Sequence, residues 1–212
     1  MIIGITGKAR SGKDSFAEML AEELYELTKK KFILMAYANE LKMRCQKDFD
    51  LSYDQLWGDE KEIADFRYPK PSPVFKTTIT GSRGVEEVEV ESDDTQEYWT
   101  AREIMQAYGQ FYRSIDDLFW VKHLFMTISD KEYDNVIITD IRHPNEADPV
   151  KNNLGVVVQV ISERSDKTDI HGENHISETA MDNYQVDHVV RNDWTLKELR
   201  EAAREMALLI TN

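Results

Sequence analysis

The sequence predicts an α/β fold in which a parallel, doubly wound, five-stranded sheet is flanked by helices. Apolar runs of strand length alternate with segments whose apolar residues recur at helical spacing, a pattern typical of strand–helix–strand crossovers. The first apolar run leads through a glycine-bounded loop into such a helix. Ligands of sheets of this kind bind beyond the carboxyl ends of the strands. Function is therefore expected in the loops that follow the strands.

The chain opens with a predicted strand at residues 1–6, the loop GKARSGKDS at 7–15, and a helix with Phe16, Leu20 and Leu24 on one face. This is the order of a phosphate-binding loop, because glycines let backbone N–H groups turn inward and a helix N-terminus favours an anion. Lys13, the second lysine of this loop, can reach the outer phosphates of a nucleotide. The residues predicted to bind the phosphates are Gly7, Arg10, Ser11, Gly12, Lys13, Asp14 and Ser15.

Asp14 departs from the usual motif, which has Ser or Thr after the lysine to help to hold Mg²⁺. A carboxylate at this place has three roles open to it. It can bind Mg²⁺ directly or through water, orient a nucleophile, or cap the helix. Asp14 is the candidate metal-binding residue.

The rest of the chain continues the alternation of strands and helices. Further predicted strands lie at 32–37, 135–139, 156–161 and 186–190, and helices at 39–48 and from Thr100 onward, the latter broken near 109–114. Residues 51–73 are expected to form loop and short helix. A β-hairpin is predicted at 74–79 and 85–91, and a capping box, Thr195-x-x-Glu198, opens the last helix.

These segments predict a single domain over residues 1–212, with an insertion at 50–98 that carries the hairpin and a polar lid at 162–183. The formal charge of −14 argues against a nucleic-acid-coating surface. Cys45 is the single cysteine, which excludes an internal disulfide and fits a reducing cytoplasm. No apolar run approaches membrane-spanning length, so no membrane partner is expected.

A second group of candidate residues follows the apolar strand NVIIT. Asp140, directly after it, is well placed to act on Mg²⁺, on a water or on a substrate hydroxyl, and Arg142 offers a forked donor for phosphate. Glu146 begins the next helix, where it either joins the site or only complements the helix dipole. In an acidic chain the positions of the other basic residues are informative, and the candidates flanked by apolar residues are Arg102, Arg113 and Lys122.

Two later positions are also candidates. Arg164 leaves the fourth strand into the predicted lid, where it would close over a transferring phosphate and exclude water. Asn192, after the last strand, is expected to meet the adenine of ATP by the strand-end rule. His171 and His175 raise the question of a metal site, but a lid or cap role is favoured for them because no cysteine lies nearby.

The chain resembles the bacteriophage-type deoxynucleoside monophosphate kinases, a branch of the P-loop kinases. The likeness rests on ordered blocks: GKARSGKDS at 7–15, REIMQAYG at 102–109, FWVKHLF at 119–125, ITDIRHPNEAD at 138–148, HISETA at 175–180 and VVRNDWTLKEL at 189–199. The aspartate after the loop lysine is expected in this family. Residues 50–98 match least, which leaves base selectivity and oligomer contacts in that region open.

The resemblance implies ATP- and Mg²⁺-dependent transfer of a phosphoryl group to a deoxynucleoside 5′-monophosphate, in deoxynucleotide biosynthesis. It implies that Arg102, Arg142 and Arg113 grip the acceptor phosphate, and that Asp140 and Glu146 hold the sugar or base side, or second-shell water on the metal. Gln106 and Trp120 are candidates for base contact, each with a competing core role. The likeness also makes a homodimer plausible, and a viral origin would place the enzyme in the host cytoplasm.

Two alternatives stay open. The first is a P-loop kinase for another small acceptor, of the dephospho-coenzyme A or phosphomevalonate type. Clustered arginines favour a phosphate acceptor over a hydroxyl acceptor. The second is a non-catalytic nucleotide-binding regulatory module, against which the presence of Lys13, Asp14, Asp140 and Arg142 argues.

Overall fold

The computed structural model describes residues 1–71, 96–162, 180–193 and 195–211, together with the backbone of two strands at 74–81 and 84–91. Within these parts the contacts divide the chain into two units. The first comprises residues 1–41 and 112–212, and the second comprises residues 42–111. Most of the predicted lid, including Arg164, His171 and His175, lies outside the described residues.

The strands follow one another in the order β1 (Ile2–Thr6), β2 (Ile33–Met35), β3 (Ala64–Pro69), β4 (Val74–Gly81), β5 (Gly84–Glu91), β6 (Tyr98–Thr100), β7 (Val136–Ile141), β8 (Val156–Ile161) and β9 (His188–Arg191). The helices are α1 (Lys13–Thr28), α2 (Tyr37–Phe49), α3 (Tyr53–Leu56), α4 (Ala101–Ile115), α5 (Phe119–Asp130), α6 (Pro144–Asn152) and α7 (Leu196–Thr211), with a 3₁₀ turn at Glu60–Glu62.

A five-stranded sheet forms the centre of the first unit, in the order β2-β7-β1-β8-β9. All four pairings are parallel, which confirms the predicted fold class. Alternate residues of the strands face opposite sides. Ile137 of β7 packs with α1 and α7, whereas its neighbour Ile138 packs with α5 and α6. Helices thus cover both faces, and the carboxyl ends of the strands meet along one edge.

The second unit contains two antiparallel pairs, β3 with β6 and β4 with β5. The carboxylate of Asp65 on β3 accepts hydrogen bonds from Arg67 Nε (2.9 Å), Arg67 Nη2 (2.7 Å) and Gln55 Nε2 (2.9 Å). These donors hold the pKa of the buried Asp65 well below its usual range. Cys45 of α2 is fully buried, and burial raises the pKa of its thiol to about 12.

The structure corrects several predicted boundaries. Residues 64–69, predicted to lie in a loop, form a strand because β6 supplies a partner. α4 is continuous through Gly109, so the predicted break at 109–114 is wrong and the chain turns at 116–118 instead. There Asp116 N donates to Tyr112 O, and Asp116 Oδ1 accepts from Leu118 N (3.1 Å). The predicted strand 32–37 is limited to Ile33–Met35 because α2 begins at Tyr37.

Candidate functional site

The loop between β1 and α1 has the backbone shape of an anion-binding turn. Arg10 (φ 62°) and Gly12 (φ 85°) are left-handed, and Ser11 N donates to Lys8 O at 3.1 Å. Gly12 is the N-cap of α1 and makes no side-chain cap. The first N–H groups of a helix have no partner within the helix. Gly12 has no side chain that could accept from those of α1. This is the geometry that favours a phosphate.

Close packing fixes the loop against its neighbours. A Cβ on Gly7 would lie 2.5 Å from Val160 O on β8, and one on Gly12 would lie 2.2 Å from Asn192 Nδ2. Lys13 is buried. Ser11 is fully buried too, and its Oγ lacks a hydrogen-bond partner in the described chain. A buried hydroxyl without a partner is uncommon, and a bound phosphate oxygen would satisfy it.

Asn192 lies at the carboxyl end of β9, where the strand-end rule predicted it. Its Nδ2 donates to Ser11 O at 2.8 Å, and its backbone N–H donates to Ile161 O at 2.8 Å. The described contacts thus tie Asn192 to the phosphate-binding loop itself. The predicted contact with adenine is not tested and stays a prediction.

Asp140 lies on β7, the strand next to β1, and Arg142 lies directly after the end of that strand. Arg142 Nε donates to Asp140 Oδ1 at 3.0 Å. The β1–β7 register passes from Gly4↔Ile138 to Thr6↔Ile141, so β7 has one extra residue there. Such a bulge redirects side chains and is common next to functional sites. The strand also continues to Ile141 and therefore includes Asp140, which was expected to follow its end.

Glu146 shapes the turn that carries Arg142. Its carboxylate accepts hydrogen bonds from Arg142 N (2.8 Å) and His143 N (3.2 Å), and so caps α6. Burial raises the pKa of Glu146 to about 7, and the nearby Asp140 carboxylate adds to the rise. Tyr37 OH donates to the backbone O of Glu146 at 2.7 Å. Glu146 therefore acts at least as a cap that holds the Asp140–Arg142 turn.

Of the other candidates in the first unit, Arg113 is half-buried and lowers the pKa of Glu146, so it contributes positive charge near this turn. Lys122 Nζ pairs with Asp116 Oδ2 at 2.6 Å. Trp120 is 4% exposed and packs edge-on against the rings of Tyr112 and Phe119. That burial supports the core role that competed with base contact in the sequence prediction.

Two candidates lie in the second unit. Arg102 and Gln106 are one turn apart on α4, and both are exposed. Arg102 Nε pairs with Glu62 Oε1. Their predicted roles in binding the acceptor nucleotide are not tested and stay predictions. The predicted closing role of Arg164, which lies outside the described residues, also stays a prediction.

A cavity of about 200 Å³ lies beside Asp14 at the carboxyl edge of the sheet. Asp14 and Glu18 of α1, residues 34–36, Asn39 and Thr139 line it. Sequence reasoning missed Asn39 and Thr139, although both follow or end predicted strands, which was the available signal. A second crevice, nearer β8, is bordered by Thr6, Gly7, Lys8, Ile141, Arg142, Gln159, Met181 and Asp182.

A larger cavity, of about 600 Å³, lies at the opposite edge of the sheet, between Lys30 and Lys31 on one side and residues 132–135 on the other. It borders two lysines and the two acidic residues Glu132 and Asp134, so charges of both signs line it. The candidate functional site is placed at the carboxyl edge because the predicted phosphate-binding loop, Asp140 and Arg142 all lie there. Within the described residues, no group of three or more His, Cys, Asp or Glu side chains is arranged to hold a metal ion.

Comparison with known proteins identifies one family. The sequence model of the deoxynucleotide monophosphate kinase family matches residues 62–203. A protein of Acanthamoeba polyphaga mimivirus named "Putative deoxynucleotide monophosphate kinase" is 26% identical over 162 residues, which are 76% of this chain and 73% of that protein. In the described residues no helix is both long and apolar enough to cross a membrane. Since the family match covers more than half of the chain, this protein belongs to the deoxynucleotide monophosphate kinase family.

Proposed function

We propose that the protein transfers the γ-phosphoryl group of ATP to a deoxynucleoside 5′-monophosphate, with Mg²⁺, and releases ADP and the deoxynucleoside diphosphate. The acceptor phosphate oxygen forms a bond to the γ-phosphorus while the bond from that phosphorus to the leaving ADP oxygen breaks. The observation that carries the proposal is the loop of residues 7–12, in which Arg10 and Gly12 are left-handed. This loop leads into α1, whose N-cap residue Gly12 has no side chain to cap the first N–H groups. Family membership supports the choice of substrates.

On the donor side, the residues present fit a nucleoside triphosphate. Because Gly7 and Gly12 carry no Cβ, the loop packs closely against Val160 O and the Asn192 amide, and the buried Ser11 Oγ has no hydrogen-bond partner among the described residues. Lys13 would neutralise charge that builds up on the transferring group. The loop holds the donor phosphates still, and most of the catalysis of phosphoryl transfer comes from such positioning.

For the metal, the described chain offers Asp14 rather than a cage of ligands. Mg²⁺ commonly binds through one or two carboxylates together with waters and substrate phosphates, and an exposed Asp14 at the first turn of α1 fits that donor set. When bound, Mg²⁺ neutralises phosphate charge and fixes the direction of the phosphate oxygens. Asp14 would hold it directly or through water.

On the acceptor side, Arg142 and Asp140 are the residues best supported by the structure. Asp140 pairs with the Arg142 guanidinium and so holds its direction, and Glu146 holds the backbone of the same turn. Arg142 would donate to the acceptor monophosphate as a forked, permanently charged group. Arg113 adds positive charge near this turn. Arg102 completes the proposed set of arginines that grip the acceptor phosphate, as the family resemblance implies, and Arg164 is proposed to close over the transferring phosphate and exclude water.

The test is a coupled ADP-release assay with Mg²⁺ and ATP and, in separate reactions, dAMP, dCMP, dGMP, dTMP, AMP or buffer alone. Chromatography identifies the product. We expect ADP release with at least one deoxynucleotide, formation of its diphosphate, and loss of both on adding EDTA. If ADP release with every monophosphate equals the buffer rate, the proposal is wrong.

A further inference from the structure

The phosphate-binding loop follows β1, but its far end is bonded to a residue that follows β9, a strand that does not pair with β1. In the sheet, β8 lies between β1 and β9. The loop leaves β1, and Gly7 packs against Val160 O of β8 so closely that no side chain fits there. Ser11 O then accepts the hydrogen bond from Asn192, beyond the end of β9. The loop therefore crosses the end of β8 and is tied down on the other side.

Asn192 is itself held firmly. Its backbone N–H donates to Ile161 O at 2.8 Å, which extends the β8–β9 pairing by one residue past Arg191. A Cβ on Gly12 would lie only 2.2 Å from the side-chain Nδ2 of Asn192, so the loop and the amide pack with no room for a further atom. Neither the backbone nor the side chain of Asn192 can shift without losing one of these contacts.

The hydrogen bond to Ser11 O also sets the direction of an N–H group. The Ser11–Gly12 peptide is trans, as are all the described peptides, so its C=O and N–H point in opposite directions. With Ser11 O directed at Asn192, the Gly12 N–H is directed away from Asn192. Rotation of this peptide unit would turn both groups together, and the Asn192 amide resists that rotation.

We propose that Asn192 is a positioning residue that fixes the Ser11–Gly12 peptide and thereby preserves the phosphate-binding shape of the loop. This role differs from the predicted contact with adenine, because Asn192 acts through the loop and needs no contact with the nucleotide. Its effect on ATP binding rests on the proposed function. Its effect on the order of the loop does not.

The test compares Asn192→Ala and Asn192→Asp with the wild-type protein and with Asn153→Ala. Asn153 is a matched control because its Nδ2 also donates to a backbone carbonyl, Pro149 O, at 2.8 Å, but at the end of α6. Asn192→Asp keeps the size of the side chain and removes the donor. The first measurement is hydrogen–deuterium exchange of residues 7–15 without nucleotide, and the second is steady-state kinetics with ATP and the monophosphate varied separately.

We expect both Asn192 variants, but not Asn153→Ala, to exchange faster in residues 7–15. We also expect a rise in KM for ATP of about threefold to tenfold, the effect of one lost hydrogen bond, with little change in KM for the monophosphate. Unchanged exchange in both Asn192 variants would overturn the proposal, and so would a KM effect confined to the monophosphate. If the wild-type protein has no kinase activity but the exchange still rises, the positioning role stands and the proposed function fails.

Discussion

The substitution Gly12→Ala should destabilise the folded protein in two independent ways. The φ of +85° lies in the left-handed region, where an L residue costs about 1–2 kcal/mol. The new Cβ would lie 2.2 Å from Asn192 Nδ2, so the amide must move and give up its bond to Ser11 O, at about 1 kcal/mol. We expect the free energy of unfolding to fall by about 2–3 kcal/mol. The melting temperature should then fall by about 4–12 °C.

A double-mutant cycle separates the two costs. Melting is followed by circular dichroism for the wild-type protein, Gly12→Ala, Asn192→Ala and the double variant. Asn192→Ala removes the atom that the methyl group would meet, so in that background Gly12→Ala keeps only its backbone cost of about 1–2 kcal/mol. In Asn153→Ala, which leaves Asn192 in place, Gly12→Ala should keep its full cost. An equal cost in all three backgrounds would refute the argument.

Three further predictions concern catalysis and pH. Lys13→Ala should lower kcat about a hundredfold or more with a smaller change in KM, whereas the exposed Lys29→Ala should leave kinetics unchanged. Arg142→Ala should raise KM for the monophosphate about tenfold or more, with Arg200→Ala, an exposed ion-paired arginine, as its control; indistinguishable kinetics would remove Arg142 from the site. Asp65→Asn should lower the free energy of unfolding by about 1–2 kcal/mol at pH 7. Because the folded pKa of Asp65 is depressed, its contribution is present above about pH 4 and is lost at lower pH, so denaturation at pH 7 and at pH 3 should show the difference from wild type shrinking.

The sequence predicted the features that depend on local pattern. Strand β1, the glycine loop and helix α1 lie within 28 residues of one another, and each has its own signal in composition or periodicity. The rule that ligands bind beyond the carboxyl ends of the strands also predicted that Asp140 and Asn192 lie at the carboxyl edge of the sheet, where the structure has them. These predictions needed no knowledge of which strand pairs with which.

The features that the sequence did not predict depend on distant partners. Asn192 and Ser11 are 181 positions apart, and their contact follows from the strand order β1-β8-β9, which no local pattern encodes. The extra residue near Asp140 is visible only as a change in register against β1. Gly109 suggested a helix break, yet it is buried within a continuous α4, where tertiary packing outweighs its low helix propensity.

The buried thiol of Cys45 gives the protein a built-in reporter of local opening. It is the single cysteine in the sequence, it is fully buried, and its pKa of about 12 keeps it protonated at neutral pH. Since only an exposed thiolate reacts readily with alkylating reagents, labelling of the native protein measures how often α2 exposes this side chain. Comparing that rate with global unfolding would show whether the second unit opens separately or only when the whole protein unfolds.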